Sequence, residues 1–328
     1  MSIKSISTIL LFCISINFSF SQTKYFNCLN TNNTSHCDTN AYLLMLCNYY
    51  IFPDLIGVKK YNDDSAFRAT FTEKFASYGI QNFSFINNDT TSTNLVVMSD
   101  SSKIIVIFRG SETNGGFLNT KKDWLLTDAK CKMTPISAFK NTYVHSGFWK
   151  SYVSVEDTLL KTIRLHQNNQ QKILITGHSL GGALAVLAAL DFSLHQLQPF
   201  GVYTYANPRV GGERFAEYYE QQQIPTYRYV NKNDLIPMLP PTQSFHRMFC
   251  PEKDKGICGR YQHVGTTYNI TKSDSIMIND VEVNVPKIYY NFGKVKRHDL
   301  AEYCNALYQN YFFKCNKSDA VPEPPKRK

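Results

Sequence analysis

Ile173-Leu174-Ile175-Thr176-Gly177-His178-Ser179-Leu180-Gly181-Gly182-Ala183-Leu184 decides how this chain is read. The run from Ile173 to Thr176 has the apolar, β-branched character of a buried strand, and the Ala/Leu-rich stretch after Leu180 has that of a buried helix. Between them stands a serine with a glycine two residues to either side. Alone, Gly-x-Ser-x-Gly carries little, because at ~7% usage of each residue it arises by chance in about one chain of this length in ten. Its setting between strand and helix carries far more. A hydroxyl can attack a carbonyl only where it stands clear of its neighbours, and a sharp strand-to-helix turn puts it there. Glycines permit that turn, since a side chain at either position would strike the strand or the helix. The helix N-terminus then lays partial positive charge beside any developing oxyanion. Ser179 is therefore the candidate nucleophile.

Outward from this turn, element types alternate. The spacing predicts helices over 150–166, 180–194 and 211–222, and strands over 172–176, 201–205 and 226–230. Further upstream, two β-rich runs at 94–98 and 103–108 are joined by Ser99-Asp100-Ser101-Ser102, which reads as a hairpin turn. Ile104 to Phe108 is continuously apolar, as in a strand buried on both faces. A helix over 41–52 is closed by Pro53, and the chain beyond Asp234 predicts strands near 261–269 and 287–290 and a last helix over about 298–313. Strands alternating with helices of this length imply βαβ units, an α/β fold with a central, mostly parallel sheet and helices on both faces. Neither an internal repeat nor an interdomain linker interrupts 22–320, so one domain is expected there.

A serine hydroxyl is a weak nucleophile unless an imidazole takes its proton, and the imidazole needs a carboxylate to fix its tautomer and stabilise its charged form. In strand-turn-helix hydrolases the order is serine, acid, histidine, so both partners should follow Ser179. Asp234 is the best acid, just beyond the strand over 226–230, where open α/β sheets place functional groups. An ordinary turn before Pro237 is the structural alternative. For the base, His246, His263 and His298 all qualify, with spacing favouring His298 modestly because it opens the last helix.

Composition bounds the rest. With 328 residues, 43% hydrophobic, 14% aromatic and 19% charged, the chain has ample apolar surface for a core. Residues 1–21, with Lys4 their only charge and an apolar run from Ile6 to Phe20, read as a secretory leader cleaved near Ser21. No later stretch is long and apolar enough to span a membrane. Cys28, Cys37, Cys47, Cys131, Cys250, Cys258, Cys304 and Cys315 follow the leader, an even set that allows up to four bridges, Cys250 with Cys258 being the local guess. Sequons at Asn32, Asn33, Asn82, Asn88, Asn269 and Asn316 fit the same route. The formal charge of +9 favours anionic partners in general, but the basic residues are scattered and no nucleic-acid motif accompanies them. The Pro- and Lys-rich end, 321–328, reads as a mobile, solvated basic tail.

Taken together the chain resembles the fungal-type, class 3 lipases of the α/β-hydrolase superfamily. The resemblance rests on Ile107-Phe108-Arg109-Gly110-Ser111, Asp123 to Asp128, Val144-His145-Ser146-Gly147-Phe148, Gly177 to Gly182, Tyr205 to Gly211, Val230 to Pro237, Tyr261 to Gly265 and His298 to Tyr303. It implies Ser179 as nucleophile, Asp234 as acid and His298 as base, with His263 matching a strand-borne histidine outside catalysis. It also implies an oxyanion hole at Ser111 and the N–H of Leu180, and His145 and His178 as structural neighbours of the turn. A lid over the pocket should lie between Ser111 and Asp128, hinged at Gly115-Gly116, with Phe117, Leu118 and Trp124 on its apolar side. The resemblance implies no metal or organic cofactor and a lipid ester substrate met at a lipid–water interface. A triacylglycerol lipase is the first reading, a phospholipase A1 or feruloyl-type esterase the nearest rival, and a non-catalytic lipid-binding protein the reading from another class.

Overall fold

The strand over 103–108 lies in the interior of the main sheet. In the computed structural model the described residues are 25–32, 34–58, 64–111, 132–168, 171–231, 234–240, 260–270, 276–278, 298–314 and 321–325. The helices are α1 (Asp38–Tyr50), α2 (Asp64–Ser77), α3 (Ser146–His166), α4 (Leu180–Leu194), α5 (Glu213–Gln221) and α6 (Leu300–Lys314). The strands of the main sheet are β1 (Asn82–Asn88), β2 (Thr93–Ser99), β3 (Lys103–Phe108), β6 (Lys172–His178), β7 (Pro199–Tyr205), β9 (Thr226–Asn231), β11 (Thr266–Ile270) and β12 (Ile276–Ile278). They lie side by side in the order β1-β2-β3-β6-β7-β9-β11-β12. Neighbours from β3 to β11 run parallel, while β1, β2 and β12 pair antiparallel at the two edges. A small antiparallel sheet joins β4 (Met133–Ile136), β5 (Thr142–His145), β8 (Gly211–Gly212) and β10 (Tyr261–Gln262).

The continuous apolar run of β3 follows from this central place, because successive side chains enter two different cores. Ile105 and Ile107 join the core beneath α1, α2 and α6, whereas Ile104, Val106 and Phe108 join the one beneath α3, α4 and α5. The Ser99-Asp100-Ser101-Ser102 turn works as its residue types predict: the Asp100 carboxylate accepts from the N–H groups of Ser102 at 2.8 Å and Lys103 at 3.0 Å. Lys103 Nζ closes on the same carboxylate at 2.6 Å, a buried ion pair that the hairpin reading did not include.

Several elements depart from expectation. The aromatic stripe Phe67, Phe71, Phe75 is a helical i, i+4, i+8 pattern that builds α2, and β1 pairs in register along all of β2. Residues 261–269 do not form one strand. Gly265 takes φ +75°, so the chain turns there and splits between the small sheet, as β10, and the main sheet, as β11. His263 consequently stands on the connection between them. Cys37, Cys47 and Cys304 are thiols, and Cys47 and Cys304 are sealed in the α1 and α6 core, which brings the expectation of four bridges down. Cys131, Cys250, Cys258 and Cys315 lie outside the described residues, as do the leader, His246 and the strand expected over 287–290. The start of the basic tail is packed: Val321 lies against the core and the buried Tyr42 hydroxyl donates to Pro322 O at 2.6 Å. A buried phenol needs an acceptor, and this carbonyl supplies it.

His145 ends β5 and caps α3. Its Nδ1 accepts from Phe148 N–H at 3.3 Å, and its ring stacks on Phe148 at 4.1 Å between centroids. Burial lowers its pKa to about 4, so the folded protein holds the ring neutral where the unfolded chain, titrating near 6.5, takes up a proton. A depressed folded value for a base means that stability falls as pH drops from about 6.5 to about 4, by about 3 kcal/mol in all. His145→Asn keeps a capping acceptor but does not titrate. Urea denaturation of both proteins across that pH range should show the wild type losing its advantage toward pH 4, whereas parallel curves would refute the assignment.

Candidate active site

The turn between β6 and α4 holds Ser179 at φ 56°, ψ −124°, a conformation that L residues rarely adopt. It persists because the surroundings leave no alternative. A Cβ on Gly177 would sit 2.0 Å from Gly181 O, and one on Gly181 would sit 2.2 Å from Phe108 O. Ser179 N–H is fixed from the next strand by Tyr205 O at 2.9 Å. The side chain is buried, at 2% exposure, and its Oγ has no hydrogen-bond partner among the described residues.

Asp234, 1% exposed, follows β9, and His298 immediately precedes α6. His298 Nδ1 lies 2.9 Å from Asp234 Oδ2 and 3.1 Å from Oδ1. An ionised carboxylate can only accept, so Nδ1 carries the hydrogen and Nε2 is left with its lone pair. Two further donors hold the Asp234 carboxylate: Ile236 N–H at 2.9 Å to Oδ1 and the Tyr303 hydroxyl at 2.8 Å to Oδ2. Tyr303 in turn accepts from Asn231 N–H at 2.9 Å. The two readings of Asp234 thus coincide, since it caps a turn through Ile236 and pairs with a histidine as well. The resemblance pointed to a Tyr after the histidine; that its hydroxyl bridges the acid to β9 is a tertiary fact.

The imidazole is also held from the side of the turn. His178, next to Ser179, places its ring 4.6 Å from that of His298 and hydrogen-bonds to the His298 backbone. Burial and then the neighbouring His298 charge push the His178 pKa well below its ordinary value, so it stays neutral. Ser111 is buried just past β3. The preceding Gly110 lies against the turn so closely that a Cβ there would be 2.7 Å from His178 O and 3.6 Å from Ser179 Cβ. Leu180 opens α4, where helix geometry leaves backbone N–H groups without internal acceptors. Asp234 and His298 are therefore in contact, and the segments bearing Ser111, Ser179 and Leu180 converge. The hydrogen bond from Ser179 Oγ to an imidazole is not formed, which is common in hydrolase sites without substrate. Phe117, Leu118 and Trp124, the expected lid residues, lie outside the described residues.

A second serine–histidine contact has different chemistry. His166, at the end of α3, uses Nδ1 on Ser99 Oγ and Nε2 on Ser84 Oγ, both at 2.8 Å, which leaves neither nitrogen for a carboxylate. Among the described residues, no group of three or more His, Cys, Asp and Glu is placed to hold a metal ion, and no helix is long and apolar enough to cross a membrane.

Comparison with known proteins agrees with this architecture. Residues 105–244 match the family described as lipase (class 3). A lipase of Rhizomucor miehei is 37% identical over 173 residues, 49% of this chain and 44% of the relative. A secreted mono- and diacylglycerol lipase A of Penicillium cyclopium is 28% identical over 193 residues, 58% of this chain and 55% of the relative. The matched stretch thus spans about half or less of each relative's length. Among solved structures, a fungal lipase–inhibitor complex, presented as a model for interfacial activation in lipases, superposes with a TM-score of 0.55 at 26% identity, covering 76% of this chain and 88% of that one. With the parallel sheet and the strained serine turn, this chain has the α/β-hydrolase fold, and its residues 105–244 carry the resemblance to the class 3 lipases.

Proposed function

We propose that the protein is a secreted serine carboxylic ester hydrolase acting on lipid esters, in the first instance triacylglycerols, with Ser179 as nucleophile, His298 as base and Asp234 as its orienting acid. The observation that carries this reading is the buried Asp234–His298 pair at 2.9 Å beside a serine held at φ 56°. In the proposed cycle the Ser179 proton passes to His298 Nε2 as Oγ bonds to the ester carbon. The carbonyl oxygen takes the negative charge and is met by donors at Ser111 and Leu180 N–H, each worth about 3 kcal/mol of barrier. Collapse breaks the bond to the alcohol, which leaves with the proton from the imidazolium. Water then repeats the sequence on the acyl-enzyme, releasing the acid and restoring Ser179. No metal or organic cofactor enters these steps.

A lid between Ser111 and Asp128, with Phe117, Leu118 and Trp124 as its apolar contacts, belongs to the same proposal. The fungal complex described as a model for interfacial activation supports it. The apolar run from Ile6 to Phe20 and the secreted Penicillium relative support passage out of the cell, where a bridge between Cys250 and Cys258 can persist. The net charge leans toward anionic surfaces, which keeps a phospholipase A1 reading as the second choice.

Ser179→Ala should abolish both ester turnover and fluorophosphonate labelling while leaving thermal unfolding unchanged; residual hydrolysis at the wild-type rate overturns the assignment. Asp234→Asn should lower kcat by about 10⁴-fold. Trioleoylglycerol, phosphatidylcholine and a short-chain aryl ester, assayed in parallel, separate the lipase from its rivals. An abrupt rise in rate at the solubility limit of one ester is the expected mark of the lid. Tyr303→Phe leaves the buried Asn231 N–H without its acceptor and should cost about 1–3 kcal/mol in urea denaturation.

A further inference from the structure

Four consecutive carbonyls follow the acid, and each receives a hydrogen bond from elsewhere in the chain. His263 Nε2 meets Pro237 O at 2.7 Å. Arg209 Nη1 meets Met238 O at 2.6 Å and Pro240 O at 2.9 Å, and the Arg209 backbone N–H meets Leu239 O at 2.7 Å. Arg209 lies just past β7 at 4% exposure, and His263 lies between β10 and β11. Burying a guanidinium is unfavourable unless its N–H groups find acceptors, and two of those acceptors are on this one segment.

The held segment is continuous with the acid. Residues Ile236–Met238 form a single 3₁₀ turn, closed by Met238 N–H to Leu235 O and Leu239 N–H to Ile236 O. The first N–H of that turn, at Ile236, is the one that aims Asp234 Oδ1. Holding 237–240 therefore fixes the turn, the turn fixes Ile236 N–H, and Ile236 N–H fixes the carboxylate against His298 Nδ1.

We infer that Arg209 and His263 are positioning residues for the triad acid, acting through the backbone of 237–240 without touching the reacting groups. The inference rests on the hydrolase reading above. His263 suits the part chemically: a carbonyl only accepts, so Nε2 must carry the hydrogen. Burial, then the charges of Arg228 and Arg209, hold the His263 pKa well below its ordinary value, so one tautomer of a neutral ring can serve at working pH. Its place after Ser179 in the chain made it a candidate base in the sequence, and its contact with Pro237 O makes it a clamp instead.

The test compares Arg209→Lys, His263→Leu and His263→Gln, each in the wild-type and the Asp234→Asn background, on a soluble aryl ester. Arg209→Lys replaces a fork with a point charge, and His263→Leu removes the donor. Both should lower kcat about tenfold or more with KM within about twofold, since sub-ångström displacement of a catalytic group costs rate. His263→Gln, whose amide N–H takes the place of Nε2–H, should recover most of the loss. In the Asp234→Asn background the same substitutions should cause no further loss, because the group they position is already gone. The downfield ¹H resonance of the His298 Nδ1 proton should weaken in the two defective variants and return in His263→Gln. Wild-type kcat in folded His263→Leu, or losses that multiply in the Asp234→Asn background, overturn the inference. Should Arg209→Lys fail to fold, the His263 pair decides alone. If Asp234→Asn itself leaves kcat unchanged, the hydrolase reading fails, which is a distinct result.

Discussion

The turn at Ser179 exists only because the ends of β3 and β6 and the start of α4 come closer than side chains allow. A side chain on Gly177 would strike the carbonyl of Gly181, and one on Gly181 would strike the carbonyl of Phe108 at the end of β3. The serine is thereby locked between β3 and β7 in a backbone conformation that is unfavourable by itself, and the strain is maintained by the packing of the whole sheet. A looser sheet would let the turn relax. The alternation of Ile and Val side chains into two cores is therefore as much a part of the Ser179 geometry as the glycines are.

The Asp234–His298 pair depends on a second convergence. Asp234 is 64 residues from His298 and 69 from Tyr303, yet α6 brings both partners to it, because His298 and Tyr303 stand at the start of one helix. That helix packs along α1, which is buried nearly all round and covers the sheet face carrying Tyr203, Tyr205, Tyr227 and Tyr229. His298 is thus placed by the N-terminal helix, a region outside the family match. Burial of the pair in a medium of low dielectric strengthens its hydrogen bonds and makes any unfilled one costly, which is why Ile236, Tyr303 and Asn231 complete the network.

Polar groups beyond the triad follow the same rule. His145, His178 and His263 are kept neutral by burial, each with one nitrogen tied to the backbone. Arg209 and Lys103 are buried cations whose hydrogens close on carbonyls or a carboxylate at loop positions. In this protein, buried histidine and buried charge mostly serve to hold connections still.

The elements legible from residues were those with strong local signals: the strand, turn and helix around Ser179, the hairpin of β2 and β3 with its Asx-type turn, and the alternation that makes the sheet parallel. The strained turn at Ser179 was legible because such a turn needs glycines at fixed offsets, and the place of Asp234 because it follows directly on a predicted strand. His298 was preferred to His263 and His246 only weakly by spacing, since which histidine reaches a carboxylate is set by the path of the chain between them. The break at Gly265, the packed end at Val321 and Pro322, the thiol state of Cys47 and Cys304, the Tyr303 bridge and the four held carbonyls after Asp234 appeared only in three dimensions. Local sequence determines backbone preference and the order of elements, because these depend on neighbours a few residues away. Which distant groups share a hydrogen bond depends on how the helices settle on the sheet, and that is a property of the packed whole.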